Sequence, residues 1–219
     1  MLIEDNVLKH FLRNVLFING TAYAGKSTMC RLLAEKHGLY HCGENYSFED
    51  FRSAATPERQ PNMCYQRTDW QAFLNRSPQE YAAWIDGSSR EMAGFEVAEL
   101  IRVSSDRSVI VDTNIPVDAL WHIAGYHQVA IMLSPQSMSV DHFFNRDDPD
   151  KRFLWEQIEK ADDPAKTLAN FRACVARINS QEHYDSFVNS GFFTIVRTDP
   201  EKDTRAETLA ALEAHFRLA

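Results

Sequence analysis

Cysteine is scarce and unpaired in this chain. Cys30, Cys42, Cys64 and Cys174 form no C-x-x-C pair, which fits reduced thiols and small buried hydrophobes rather than a disulfide frame or a zinc site. Long apolar runs are also missing, since none approaches the roughly 20 residues that cross a bilayer. The first residues, Met-Leu-Ile-Glu-Asp-Asn, have neither the basic start nor the apolar core of a signal peptide. Together these absences predict a cytoplasmic protein with no membrane partner. Positive charge is in deficit too: 23 Lys and Arg against 31 Asp and Glu give a formal net charge of -8. Such a balance excludes an extended surface that coats nucleic-acid phosphates, though it leaves room for a local basic pocket. His122, His127, His142 and His183 show no H-x-x-x-H pairing, so no transition-metal site is predicted from them. There is no N-K-x-D tetrad of a regulatory GTPase, and no signature loop or coupling domain of a motor or transport ATPase.

What is present suffices for a core. With 44% hydrophobic and 25% charged residues, the chain reads as globular, and residues 1–219 read as one α/β domain carrying a helical lid. Residues 15–18 (Val-Leu-Phe-Ile), 109–111 (Val-Ile-Val) and 129–133 (Val-Ala-Ile-Met-Leu) are the continuous apolar runs of buried parallel strands. Shorter strands are expected at 39–42 and 192–196. Between them, helices are expected at the segment after Lys26, through most of 69–105 with a start at Ser77-Pro78-Gln79-Glu80 and a break or bend at Gly87 or Gly94, and as two pieces in 136–161 around a turn at 147–150. Further helices are expected as one long element over 164–189 and at 201–217, and 53–68 reads mostly as loop. Phe171, Val175, Ile178 and Phe187 read as the core stripe of the long helix. The sum is a three-layer α/β fold, a parallel sheet of about five strands with helices on both faces, whose ligands sit beyond the carboxyl ends of the strands.

The most specific motif is Gly20-Thr21-Ala22-Tyr23-Ala24-Gly25-Lys26-Ser27, which matches G-x-x-x-x-G-K-[ST] between an apolar strand and a helical pattern. Small residues let backbone N–H groups turn inward around phosphate oxygens at the positive end of the following helix. Gly20, Ala22, Tyr23, Ala24, Gly25, Lys26, Ser27 and Thr28 are therefore the candidate nucleotide-binding residues. Lys26 is placed to reach the β and γ phosphates, and Ser27 to ligate Mg²⁺, a hard cation that prefers oxygen.

The run from Val15 to Leu33, the strand end Val109-Ile110-Val111-Asp112-Thr113-Asn114 and the Arg-bearing helical hairpin resemble the small-molecule and nucleotide kinases of the P-loop class, in outline its zeta-toxin, polynucleotide-kinase-like and chloramphenicol-phosphotransferase-like branches. The resemblance implies ATP and Mg²⁺ as cofactors and a small-molecule acceptor as partner. It implies that Asp112 assists the metal or the acceptor, with Thr113 standing where the class has a second acid. It implies a base after the second strand, where His41-Cys42-Gly43 replaces the usual Asp; Glu44 is the candidate, with Asp50 next. Arg146 and Arg152, beside Lys151 on the hairpin, would form a lid clamp, with 136–161 as the lid and 43–105 as the acceptor-binding region. There Arg52, Arg67 and Arg90 are candidate anion partners, while Trp70, Tyr81, Trp84 and Phe95 serve either stacking or core. The leading expectation is ATP- and Mg²⁺-dependent phosphoryl transfer to a small acceptor. A nucleoside or nucleotide kinase and a non-enzymatic ATP-binding switch stay open beside it.

Overall fold

The computed structural model describes residues 3–144, 149–199 and 202–218. In chain order its elements are α1 (Asp5–Phe11), β1 (Val15–Gly20), α2 (Lys26–His37), β2 (Tyr40–Cys42), α3 (Phe48–Ala54), α4 (Trp70–Leu74), α5 (Pro78–Val103), β3 (Val109–Asp112), α6 (Val117–Ile123), β4 (Val129–Leu133), α7 (Gln136–Asp141), α8 (Pro149–Glu159), α9 (Pro164–Ile178), α10 (Gln181–Val188), β5 (Phe193–Val196) and α11 (Arg205–Phe216). Five parallel strands form one sheet in the order β2-β3-β1-β4-β5. The α/β expectation holds.

Alternation along the strands builds the two faces. Val15, Phe17, Val109, Val111, Val129 and Ile131 point to one side, where α5 and α6 cover them with Leu100, Leu120 and their neighbours. Ile18, Ile110, Ala130 and Met132 point to the other, against Met29, Cys30 and Leu33 of α2 and Leu212 and Phe216 of α11. Because both faces are covered, the strands read as unbroken apolar runs rather than as alternating ones. Cys30, Cys42 and Cys174 are buried as small hydrophobes.

A third cluster lies off the sheet. Phe73 and Leu74 of α4, Tyr81 of α5, Ile158 of α8 and Phe171, Cys174 and Val175 of α9 pack together. The 26 residues of α5 join it to the sheet: the helix spans about 39 Å at 1.5 Å per residue, its first turns in this cluster and its last on the sheet. No break occurs at Gly87 or Gly94. Gly87 has a packing reason instead, since a Cβ there would lie 2.4 Å from the Asn62 side chain, so its lack of one admits the 55–69 loop against the helix. Ser77 caps α5 as its sequence predicts, with its hydroxyl accepting from Glu80 N at 3.2 Å and Glu80 accepting from Ser77 N at 2.8 Å. Ser77→Ala is expected to cost about 1 kcal/mol, read as a fall of about 2–4 °C in thermal midpoint.

Three expectations are corrected. Residues 164–189 form two helices, because Ser180 starts a new one by accepting from His183 N at 3.3 Å while the Asn179 amide caps the Val175 carbonyl at 2.9 Å. Phe171 and Val175 consequently lie in the off-sheet cluster and Phe187 in the sheet core, not on one stripe. Residues 48–54 are helical, within a stretch that shows little periodicity in sequence. Of the turn expected at 147–150, Pro149 and Asp150 begin α8, and the remainder lies outside the described residues. Among the described residues, no helix is long and apolar enough to cross a membrane.

Candidate active site

The loop of residues 21–25 leaves the central strand at its carboxyl end and runs straight into α2. Backbone conformation decides the residue types here. Gly20 has φ of 128° and a Cβ on it would lie 1.9 Å from the Met132 carbonyl oxygen, so only glycine passes between β1 and β4. Gly25, at φ of 92°, turns the chain into the helix. Tyr23 adopts φ of 64° without being glycine, a costly conformation that marks a functional loop more often than a structural one.

The loop's carbonyls are held from behind. Ser134 Oγ donates to Ala22 O at 2.5 Å and Ser139 Oγ at 3.2 Å. Thr21 N donates to Met132 O at 3.0 Å, and Arg197 Nη1 donates to Tyr23 O at 3.4 Å. Among the described residues no acceptor takes the N–H of Ala22, Ala24 or Gly25, which leaves these amides open to a ligand. Unsatisfied donors at a helix N-terminus form an anion site.

Lys26 and Ser27 start α2 and point at the neighbouring strand end. Ser27 Oγ donates to Asp112 Oδ2 at 2.6 Å. Lys26 Nζ lies 4.0 Å from Asp112 Oδ1 and donates to Thr21 O at 3.3 Å. The pairing of Ile18 with Asp112 in the β1–β3 register puts this carboxylate beside the loop. Asp112 is 2% exposed, and burial raises its pKa against the opposing pull of the Lys26 ammonium and the Ser27 hydroxyl. Among the described residues its Oδ1 accepts no hydrogen bond. A buried carboxylate oxygen without a donor, next to a serine hydroxyl, is an oxygen donor set of the kind Mg²⁺ takes, so the residues fit that ion.

A cleft of 1920 Å³ opens from the loop between α5 and the helices α9 and α10. Glu44 lies in it, its Oε1 accepting from Asn114 Nδ2 at 3.0 Å, and its charge is felt at Asp112. Arg52, Arg67 and Arg90 all line this cleft, as do Trp70 and Trp84, whereas Tyr81 is buried in the off-sheet cluster and Phe95 packs on Phe51. Asp50 is not among the lining residues. Arg152 is exposed on α8 outside the lining, where Asp150, Phe153 and Leu154 of the same helix contribute, and Arg146 lies outside the described residues. Lys151 reaches toward the loop instead, with Nζ 5.7 Å from the Tyr23 ring centroid.

Two features escaped the sequence. A second cavity of 310 Å³ lies on the other side of the loop, bounded by Thr28, Met29, Met132, Arg197, Lys202 and Arg205. Arg197 borders both spaces and follows the last residue of β5, so its place at a strand end was a signal of the same kind as that of Asp112. The other is Glu96 of α5, 4% exposed, whose Oε1 has no hydrogen-bond partner among the described residues. Burial pushes its pKa up to about 7, with a hydrogen bond to Thr113 opposing and the charge of Asp112 adding to the rise.

No protein-family model matches the chain, and no curated protein matches it. Among solved structures, dephospho-CoA kinase from Campylobacter jejuni is similar at 14% identity, over 93% of this chain and 98% of that one, with a TM-score of 0.38. What the site does is therefore decided by its own residues.

Proposed function

We propose that the protein transfers the γ-phosphoryl group of ATP to a hydroxyl of a small molecule. The observation that carries this reading is the loop of residues 20–27, with open amides at Ala22, Ala24 and Gly25 and with Lys26, Ser27 and the buried Asp112 together beside it, opening on the 1920 Å³ cleft. The loop amides and Lys26 hold the phosphates, and the 310 Å³ cavity beside Thr28 and Arg197 takes the nucleoside end. Ser27 and Asp112 Oδ1 would hold Mg²⁺, which when bound neutralises phosphate charge. Residues 1–219 act as one kinase unit, with 43–105 forming the acceptor region and 136–161 the lid that carries Arg146 and Arg152.

Charge spreads over the transferred oxygens in such a reaction, so fixed donors and exclusion of water do most of the work. Lys26 supplies one such donor. Glu44 Oε1 is occupied by Asn114, which leaves Oε2 to accept the proton of the attacking hydroxyl. The hydroxyl oxygen bonds to γ-phosphorus, the bond from γ-phosphorus to the bridging oxygen breaks, and ADP departs with that electron pair. Kinase chemistry is favoured over a nucleotide switch by the size of the cleft beside the phosphate loop, which a switch does not require.

The test is an ADP-release assay over a panel of hydroxyl-bearing small molecules. At least one is expected to accelerate ADP formation by about 10²-fold or more over water alone, the range that positioning and proton transfer supply. Tight ATP binding with no acceleration by any acceptor would replace the kinase with the switch.

A further inference from the structure

Between the loop after α3 and the start of α5, two guanidinium groups share four aromatic rings with no carboxylate among them. Arg67 Cζ lies 5.4, 5.3 and 5.6 Å from the ring centroids of Trp70, Phe73 and Trp84. Arg76 Cζ lies 5.0, 4.5 and 5.6 Å from those of Tyr65, Phe73 and Trp84. Among the described residues neither arginine makes an ion pair, whereas Arg90 pairs with Asp86 and Asp118, Arg52 with Glu49 and Arg177 with Glu182 along the cleft. The acids nearest in sequence are engaged elsewhere. Asp69 caps α4 by accepting from Ala72 N at 2.9 Å, and Glu80 is held by Ser77 at the head of α5. In a chain of net charge -8, two neighbouring cations without an ion-pair partner among the described residues are a local exception, although the charge of Arg76 is felt at Glu80.

The ring contacts also bear on how Arg67 acts. Stacking occupies the face of a guanidinium and leaves its edge N–H groups free, and those groups form the fork that takes a phosphate or carboxylate in two parallel bonds. The shelf beneath is fixed: Trp84 Nε1 donates to Asn62 O at 3.1 Å, and Trp70 meets Phe153 of α8 edge-on at 4.9 Å. Arg67 is exposed and lines the same cleft as the phosphate loop and Glu44. Tyr65 and Phe153, 41% and 40% exposed, border that cleft beside it.

We propose that Arg67, held on this aromatic shelf, is the anion receptor of the acceptor subsite, and that the acceptor is a small aromatic phosphate monoester. Its phosphate sits on the Arg67 fork, with the second positive charge of Arg76 behind it matching a dianion. Its ring lies against the exposed faces of Tyr65 and Phe153, and its free hydroxyl extends toward Glu44. This rests on the reading that the cleft takes the phosphoryl acceptor.

The probe is phenyl phosphate, titrated by calorimetry at low salt into protein saturated with Mg²⁺ and a non-hydrolysable ATP analogue, so that the phosphate loop is filled. Phenyl phosphate is expected to bind about tenfold or more tightly than benzyl alcohol or inorganic phosphate, the scale of one charge-assisted bidentate contact. Arg67→Met keeps an unbranched chain against the rings and removes the charge; it is expected to weaken phenyl phosphate by about tenfold or more, with an unchanged thermal midpoint as the folding control. Binding by the variant within about twofold of the parent, equal binding of benzyl alcohol, or no binding by the parent overturns the proposal. The same titration in Lys26→Ala without nucleotide separates the two readings: the Arg67 site still responds there even where the ATP analogue fails to bind.

Discussion

Lys26→Ala is expected to weaken ATP binding by about 10- to 100-fold, the equivalent of one or two lost charge-assisted hydrogen bonds, and to lower ADP formation by about 10²- to 10³-fold where a donor to the transferred oxygens is removed. Two features of the site set the size of the effect. Lys26 is only 8% exposed, so water replaces its ammonium poorly, and Nζ is aimed by Thr21 O at 3.3 Å and Asp112 Oδ1 at 4.0 Å. Its removal also takes away the largest of the pulls that favour the ionised Asp112, leaving Ser27 and the weaker influence of His41, which raises the Asp112 pKa further and weakens the oxygen pair that would hold Mg²⁺. Calorimetric titration with ATP, with and without Mg²⁺, measures both consequences. An unchanged affinity in the variant would remove the phosphate-binding role of the loop and with it the kinase reading.

The loop was legible in the sequence because its demands are local. Gly20 and Gly25 sit where φ is positive, Lys26 and Ser27 begin the helix that follows, and the preceding run of apolar residues is the strand at the centre of the sheet. Asp112 was legible for a related reason, since an acid ending an apolar run lies at a strand's carboxyl end, and the β1–β3 pairing brings it to Ser27. The break at Ser180 was a local signal too, but the apolar residues on either side kept helical spacing across it and masked the cap. By contrast, the Arg67 shelf depends on Trp70 and Phe73 of one helix meeting Trp84 of another beneath a loop residue, and the Trp84 ring is oriented by a carbonyl 22 residues away. Spacing along the chain carries no record of such a meeting. Glu96 is hidden in the same way, since within α5 it is one more charged residue on a helix that carries several, and only the packing of that helix on the sheet buries it.

That burial makes Glu96 the source of the second large effect. Its folded-state pKa of about 7 stands above the ordinary value of 4.5, so the folded protein holds a proton that the unfolded chain releases between those two values. A raised folded pKa contributes stability that is fully present below pH 4.5 and is lost as pH climbs through 7. At about 1.4 kcal/mol per pH unit, the loss amounts to about 3 kcal/mol. Of the titratable groups facing Glu96, burial pushes the Cys42 thiol up to about 12 and raises the Tyr46 phenol as well, so both stay neutral over this window, while the Asp112 carboxyl, itself raised by burial, adds to the shift of Glu96 and shares in its titration. Glu96→Gln keeps the shape and a partner for Thr113 but cannot ionise. Thermal midpoints of the parent protein and this variant, followed from pH 5 to pH 8, are expected to diverge in favour of the variant by about 6–12 °C, the span that 3 kcal/mol represents in a chain of this size. Other groups that titrate in the range, His183 and His215 among them, contribute equally to both proteins and cancel in the difference. A gap that stays constant across that range would mean that Glu96 is ionised in the fold at every pH tested, with its charge met by a partner rather than suppressed by burial.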